Sequence, residues 1–577
     1  MTSEAPSVTE VTPSLSAPTL PAARRRAAGS SRVRPVISQI LLSLVALLFL
    51  VPIIWMVLSA LKPSAEVFTV PPKLFGSEIL FSNFAEAWNY LPFGRFILNT
   101  IWVAGVGTLI TLVASVTAGY AFARLNFKFQ GGLFILYLST LIVPQEVIVI
   151  PMFLVMQQLG WVNSYKALIL PWAFTAFGTF LLRQFFLTVP NELEEAARVD
   201  GCGPFGSFFR IMLPLARPAL AGGLALALME CLNDLGAVQY LGVQTLSVAI
   251  YTTWLQRSSL GGAAQIALVA VAFVLVLMLA ERAARGRGRF HHTTGRWRAI
   301  PFTDLEGWRG IAAAAFCALP VVLGFVAPFI LLLLQALAHL SDALAAGFWR
   351  AVGNSLGVAA AAAVVTVALG LCLAYARRVA PGLGVRVAVG TAGLGYALPG
   401  TVLALGLMIP LAAFDNRLDA WLRSAFGISS GLLLSGTLAV IVLAYAIRFL
   451  AVSLSALEAG FERLSPNLDA AARTLGETAL SALWRVHIPL LIPALGAAAL
   501  LVFVDAMKEL PATLLLRPFN FETLATQVYS WAGLELFEQA TLGALTIVLI
   551  GLVPVLVLHQ AVAGGRAGAS PAEAHGT

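Results

Sequence analysis

The chain has 577 residues, of which 59% are hydrophobic and only 11% charged, with a mean hydropathy of +0.88 and a formal net charge of +8. That composition excludes a soluble globular domain and points to an all-α polytopic membrane protein. The excess positive charge would suit nucleic acid, but the basic residues sit in tails and in loops on alternate sides of apolar runs. The positive-inside rule accounts for that distribution, so no nucleic-acid partner is implied.

About 20 apolar residues cross a bilayer, and about twelve such runs are present, six in each half. Residues 1–35 are rich in Ser, Thr, Pro and Ala and end in Arg24-Arg25-Arg26 with Arg32 and Arg34, a disordered cytoplasmic tail. The run 36–61 is too long for a signal-peptide core and reads as a retained membrane helix. A polar outer loop, 62–96, precedes spans near 97–121, 132–157, 167–189, 217–238 and 264–281, with Arg124 and Lys128 on the inner side. Residues 282–309, with Arg285, Arg287, Arg289, Arg296 and Arg298, form a basic cytoplasmic linker, and its His291-His292 pair is too little to hold a metal. Spans near 311–338, 353–376, 387–413, 430–452, 490–515 and 542–561 follow, with Arg377, Arg378 and Arg386 inside and outer loops at 414–430 and 516–541. The predicted organisation is therefore a first transmembrane domain over 36–281, a second over 310–563, and a small cytoplasmic tail over 564–577. Cys202, Cys231, Cys317 and Cys372 are scattered among apolar segments and give neither a disulfide framework nor a zinc site.

One stretch occurs twice. Glu195-Ala196-Ala197-Arg198-Val199-Asp200-Gly201 and Ala470-Ala471-Ala472-Arg473-Thr474-Leu475-Gly476 align under a constant shift of 275 positions, which also sets Arg210 on Arg485, Pro214 on Pro489 and Pro218 on Pro493. Such self-similarity marks an internal duplication. Each copy predicts two short helices broken at a glycine in the left-handed conformation. Asn191 with Glu194 can form a capping box in the first copy; Ser465 caps the second, with Pro466 in its first turn. Leu468, Ala471, Ala472 and Leu475 make an apolar stripe, and Phe205, Phe208 and Phe209 recur as Leu480, Leu483 and Trp484. Both copies fall on the inner side. A short helix with an alanine face and a glycine end suits insertion into a partner's groove.

No phosphate-cradling loop, catalytic triad, metal-ligand cluster or dinucleotide fingerprint is present, so the chain is not read as an enzyme and is given no metal site. The same shift sets Glu230 on Asp505 and Asp234 on Glu509. Acids at membrane depth are costly and face a cavity or a partner. They form a candidate cation-attracting substrate path, or else lie wet at an outer end or pair with a cation such as Lys508. Gln145-Glu146, between Pro144 and Pro151, has the same two readings.

The motif E-A-A-x-x-x-G-x(9)-I-x-L-P resembles the coupling signature of binding-protein-dependent ABC importer permeases. Glu195, Ala196, Ala197, Gly201 and Pro214 match it in the first copy; in the second Ala471, Ala472, Gly476 and Pro489 do, with Ala470 in the place of the glutamate and Asp469 one residue earlier. Residues from about 40 to 220, including Lys62-Pro63-Ser64 and Phe180-Leu181-Leu182-Arg183-Gln184, look like the maltose-type sugar permeases. From about Glu230 onward, Leu232-Asn233-Asp234-Leu235-Gly236, Tyr396-Ala397-Leu398-Pro399-Gly400 and Met507-Lys508-Glu509-Leu510-Pro511 look like fused ferric-iron permeases, so the chain reads as chimeric with a changeover near 215–230. The resemblance implies two homologous six-helix permease repeats in the bacterial inner membrane, both termini cytoplasmic. It implies two ABC ATPase partners on the duplicated loops, a periplasmic or lipid-anchored substrate-binding protein, and no cofactor on this chain, ATP being bound by the partner subunits. The implied cargo is ferric iron, with a sugar or other polar organic solute as the alternative. A secondary transporter driven by an ion gradient stays open as a different class.

Overall fold

The computed structural model describes residues 47–285 and 303–564, apart from 48, 68, 70–72, 91, 141–144, 173–175, 191, 342–345, 380–381 and 466. The predicted N-terminal tail, His291-His292, Pro144, Asn191 and Pro466 fall outside the described residues. The protein is all-α; among the described residues the only strand pairing is a two-residue parallel contact of Leu125–Asn126 with Thr303–Asp304. That contact, with Asn126 Nδ2 donating to Asp304 Oδ1 at 2.6 Å, ties the end of the basic linker to the turn after the first long span.

Seven described helices are long and apolar enough to cross a membrane, and eight if the bent pair Pro204–Leu215 and Arg217–Asn233, kinked by 66°, counts as one span. This is fewer than the twelve spans the sequence predicts. Only Phe49–Leu61 of the first predicted span is described. The third and fourth are described as Gln130–Thr140 with Gln145–Gln158, and Tyr165–Trp172 with Ala176–Thr188, pieces each shorter than a crossing. The predicted span 387–413 ends instead at Ala397 and restarts at Gly400, because Pro399 lacks the N–H that would continue the ladder and holds Leu398 extended at ψ 128°. The restarted helix, Gly400–Phe426, runs through most of the predicted outer loop and stops at Gly427, whose φ of 67° is left-handed. Asp415 and Asp419 on that helix accept the backbone N–H groups of Leu434, Ser435, Ser430 and Gly431, which folds the following loop back onto it. The outer loop 516–541 likewise holds a helix, Leu524–Gly533, matched in the first half by Leu246–Leu255.

The core of each half crosses into the other. Trp55 and Met56 of Phe49–Leu61 pack with Val402, Leu405 and Ile409 of Gly400–Phe426. Reciprocally, Cys317 and Val321 of Gly307–Ala338 pack with Ala118, Phe122 and Tyr137 of the first half. The first crossing rests on a missing side chain: a Cβ on Gly406 would lie 2.5 Å from Pro52 O and 2.6 Å from Pro52 Cα. Small residues are what allow helix backbones to approach this closely in a bilayer.

Two further contacts recur. Asn99 Nδ2 donates to Gln244 O at 2.7 Å and Thr100 Oγ1 accepts from Leu246 N at 3.0 Å. In the second half Asn354 Nδ2 donates to Glu522 O at 2.8 Å and Ser355 Oγ accepts from Leu524 N at 2.7 Å. Each outer helix is thus pinned through its N-terminus, where orphan N–H groups need partners, to a long span of its own half.

Candidate docking loops and central cavity

The duplicated loops have the same backbone. Glu192–Val199 and Asn467–Thr474 are helices of 8 residues, and Gly201 and Gly476 follow them at φ +80° and +81°. The chain reverses through matching bonds: Gly201 N to Arg198 O at 3.0 Å and Cys202 N to Ala197 O at 2.8 Å, against Gly476 N to Arg473 O at 3.1 Å and Glu477 N to Ala472 O at 3.0 Å. After the glycine, each copy enters a helix at the same register, Pro204 and Ala479, and each helix contains one wide π turn, Phe208–Met212 and Leu483–His487. Such turns concentrate at functional sites.

The exposed faces repeat as well. Ala197 and Ala472 point inward at 3% and 5% exposure, whereas Ala196 and Ala471 face out, so the alanine pair straddles the helix surface instead of lying wholly on one face. The predicted stripe of the second copy is turned outward at Leu475, 83% exposed. Phe208 and Leu483 turn in; Val199, Phe205 and Phe209, and Leu475, Leu480 and Trp484, are exposed. Glu195 is exposed, as is Ala470 at its equivalent position. Pro214 and Pro489 each lie just after the π turn, in the first turn of the helical segment that follows. On the second loop the Ser481 hydroxyl, and with it Arg485, hold the Glu477 carboxyl below its usual range.

Glu194 is buried, 3.8 Å from Arg124 Nε; its predicted cap partner Asn191 lies outside the described residues. Its equivalent is Asp469, which lies 2.7 Å from Arg378 Nε and is therefore turned into the protein and not out to a partner. Arg124 Nη2 also donates to Phe186 O at 2.9 Å and Val189 O at 2.5 Å. Arg378 Nη1 donates to Phe461 O at 2.8 Å and Leu464 O at 3.2 Å. Phe186 and Val189 fall on Phe461 and Leu464 under the same shift of 275, as Glu194 falls on Asp469. The sequence reading took both arginines only as topology signals. The spacing from arginine to acceptor, 62 residues in one half and 83 in the other, hid their equivalence from a gap-free comparison.

The four predicted acids do come together. Glu230, Asp234, Asp505 and Glu509 line one open cavity between the halves, with Tyr396, Arg448, Phe449 and Lys508. Asp234 Oδ1 accepts from Ala237 N at 3.0 Å and Glu509 Oε1 from Ala512 N at 2.9 Å, so this pair caps the equivalent short helices Gly236–Tyr240 and Pro511–Leu516. Glu509 also lies 3.3 Å from Arg448 Nη1, and Asp505 3.2 Å from Lys508 Nζ. Two cations of the second half thus temper the acids; Ala173 and Asn233 hold their positions in the first half. Among the described residues no group of three His, Cys, Asp or Glu is placed to hold a metal ion. Glu230 is exposed and also lines two adjoining cavities, with Thr108 and Thr111 of the first long span in both and Ser115 in one of them. Gln145 and Glu146 open the helix Gln145–Gln158.

Residues 110–287 match the family described as "Binding-protein-dependent transport system inner membrane component". A probable ABC transporter permease protein, YurM of Bacillus subtilis (strain 168), is 38% identical over 174 residues, 29% of this chain and 56% of the relative. The arabinooligosaccharides transport system permease protein AraQ of Halalkalibacterium halodurans is 34% identical over 213 residues, 35% of this chain and 74% of the relative. The sn-glycerol-3-phosphate transport system permease protein UgpE of Yersinia pestis bv. Antiqua is 36% identical over 188 residues, 32% and 67%. The chain thus spans between 56% and 74% of the length of these relatives. It belongs to the family of binding-protein-dependent transport system inner membrane components, which are membrane permeases of ABC transporters and not enzymes. The match runs through the expected changeover at 215–230, and the helix Arg217–Asn233 packs on both sides of it, against Phe93–Arg124 and Leu260–Arg285. The relatives above that name a substrate name arabinooligosaccharides and sn-glycerol-3-phosphate, which fits the expected alternative of a sugar or other polar organic solute better than the expectation of ferric iron.

Proposed function

We propose that this chain supplies the whole transmembrane path of an ABC importer for a hydroxyl-rich organic solute such as an oligosaccharide or a polyol derivative. The observation that carries the reading is the recurrence of two loops with the same backbone and with exposed apolar residues at two equivalent positions, Phe205/Leu480 and Phe209/Trp484. Each offers a docking face to one of two ATPase subunits; Glu195, Ala196, Ala471 and the glycine turns form part of it. The relatives' named substrates support the sugar-type cargo, and so does the cavity chain. Thr108, Thr111 and Ser115, which line the cavities beside Glu230, are of the residue types that exchange hydrogen bonds with a polyol.

In this reading a binding protein delivers the solute to the outer side, ATP is held by the partner subunits and not by this chain, and both termini face the cytoplasm of a bacterial cell. The two domains correspond to 36–281 and 310–563, joined by the basic linker. Proteoliposomes holding the chain with a candidate ATPase and binding protein from the same genome provide the test. Uptake of a labelled oligosaccharide that needs ATP and stops with vanadate supports the proposal. Uptake that needs only an ion gradient, or uptake of ferric iron with none of sugar, overturns it.

A further inference from the structure

The two arginines at the ends of the long spans do more than mark topology. A helix C-terminus leaves carbonyls without partners, and a guanidinium with five donors in a fixed fork can take several at once. Arg124 takes Phe186 O and Val189 O, at the end of the span that leads into the first docking loop, and keeps Nε beside Glu194 in the first turn of the docking helix. Arg378 takes Phe461 O and Leu464 O, adds Ser465 O at 3.0 Å, and bonds Asp469 Oδ2 at 2.7 Å in the second docking helix.

Each arginine therefore joins its own long span to the end of the neighbouring span and to the docking helix that follows it. Both side chains are largely hidden from water, where charge-assisted bonds hold most firmly and an unpaired partner is costly. The long spans that carry them, Phe93–Arg124 and Ala346–Val379, are the ones that hold the outer helices through Asn99 and Asn354, and the first of them also lines the cavities with Thr108 and Thr111.

Resting on the permease reading above, we infer that Arg124 and Arg378 are positioning residues that transmit movement of each docking loop into the long span at whose end each sits. Without the fork, the docking helix still binds its ATPase through its exposed face, but the span no longer follows it.

The test uses the full chain in nanodiscs with its co-purifying ATPase, the four native cysteines replaced by alanine, and Asn233→Cys as a reporter in the cavity. Labelling by a membrane-impermeant maleimide is measured with and without ATP plus vanadate. With both arginines present the labelling rate changes when ATP is trapped. In Arg124→Gln or Arg378→Gln the ATPase is still recovered and still hydrolyses ATP, while the trapped-to-free labelling ratio moves at least about fivefold toward one. Arg→Lys variants keep the charge that folding needs but lose the fork, so they carry the same test with an intermediate ratio if a Gln variant does not fold. Gln and Lys variants whose ratio equals that of the parent overturn the inference. A parent chain that recovers no ATPase at all overturns the permease reading and with it the inference, a result distinct from the first.

Discussion

Gly476→Ala isolates the backbone requirement of a docking loop from its side chains. The residue sits at φ +81°, a Cβ there would meet nothing within 4 Å, and the same holds at Gly201 with φ +80°. The cost is therefore conformational and not steric, about 1–2 kcal/mol for an L side chain held in the left-handed region. If the loop escapes that strain by leaving the turn, the population in docking shape falls by roughly 5- to 30-fold. Affinity for the ATPase falls by the same factor, because binding competence scales with that fraction. Proline removes the N–H that donates to Arg473 O at 3.1 Å and cannot reach the angle, so its effect is larger. Binding of purified ATPase to nanodisc-held permease is the assay. Thermal unfolding of the spans serves alongside it and should barely move. Gly206→Ala is the control, since its Cβ would lie 3.6 Å from Cys202 Cβ in ordinary contact and no positive φ is involved. Wild-type affinity in Gly476→Ala and Gly201→Ala alike would refute the claim that this turn presents the docking face.

Gly406→Ala should destabilise the fold by about 1–3 kcal/mol by overpacking against Pro52, whereas Gly496→Ala, with nothing within 4 Å, should be neutral or slightly stabilising; detergent-titrated unfolding compares the two. Glu509→Gln leaves Arg448 buried without its carboxylate and should cost about 3–5 kcal/mol, and the double variant Glu509→Gln with Arg448→Met should recover much of it in the same assay. Asn354→Ala removes a bond to Glu522 O at 2.8 Å and should raise hydrogen exchange in Leu524–Gly533 selectively, with the rest of the second half unchanged. Phe209→Ala and Trp484→Ala, both at exposed positions, should weaken ATPase recovery without shifting the unfolding midpoint.

The docking loops were legible in the sequence because the duplication there is gap-free: one shift of 275 carries helix, glycine, π turn and proline together. The acids were legible for the same reason. Arg448 was not, since a residue that balances charge in one half only leaves no repeat to notice. The arginine forks were hidden by the extra chain in the second outer segment, where Gly400–Phe426 and its folded-back loop lengthen the path between Arg378 and its acceptors. The Arg378 partner of Asp469 was not legible, because a carboxylate in a helical first turn looks equally suited to a partner's cation and to an arginine of its own chain. The outer helices Leu246–Leu255 and Leu524–Gly533 escaped because each is too short to register as a crossing. What pins them is a pair of side chains more than 140 residues away in the first half, Asn99 and Thr100, and more distant still in the second.

Fusion of the two halves explains which features of the loops stay alike and which drift. In a pair of identical chains both loops would be the same residue for residue; here each has a fixed place, so each side chain is free to diverge unless both partners need it. What has not diverged is the glycine turn, the π turn, the inward alanine, the arginine fork and an exposed apolar group at Phe205/Leu480 and Phe209/Trp484. What has diverged is the exposed charge, Glu195 against Ala470 and Asp200 against Leu475, and the buried floor, Met212 against His487, whose Nε2 lies 3.0 Å from Asp469 Oδ1. On the proposed reading, a pair of like ATPase subunits would read only the common part, an apolar contact presented on a rigid turn. The acids of the first loop lie outside that shared contact, while His487 gives the second docking helix a basic neighbour, besides Arg378, that the first lacks.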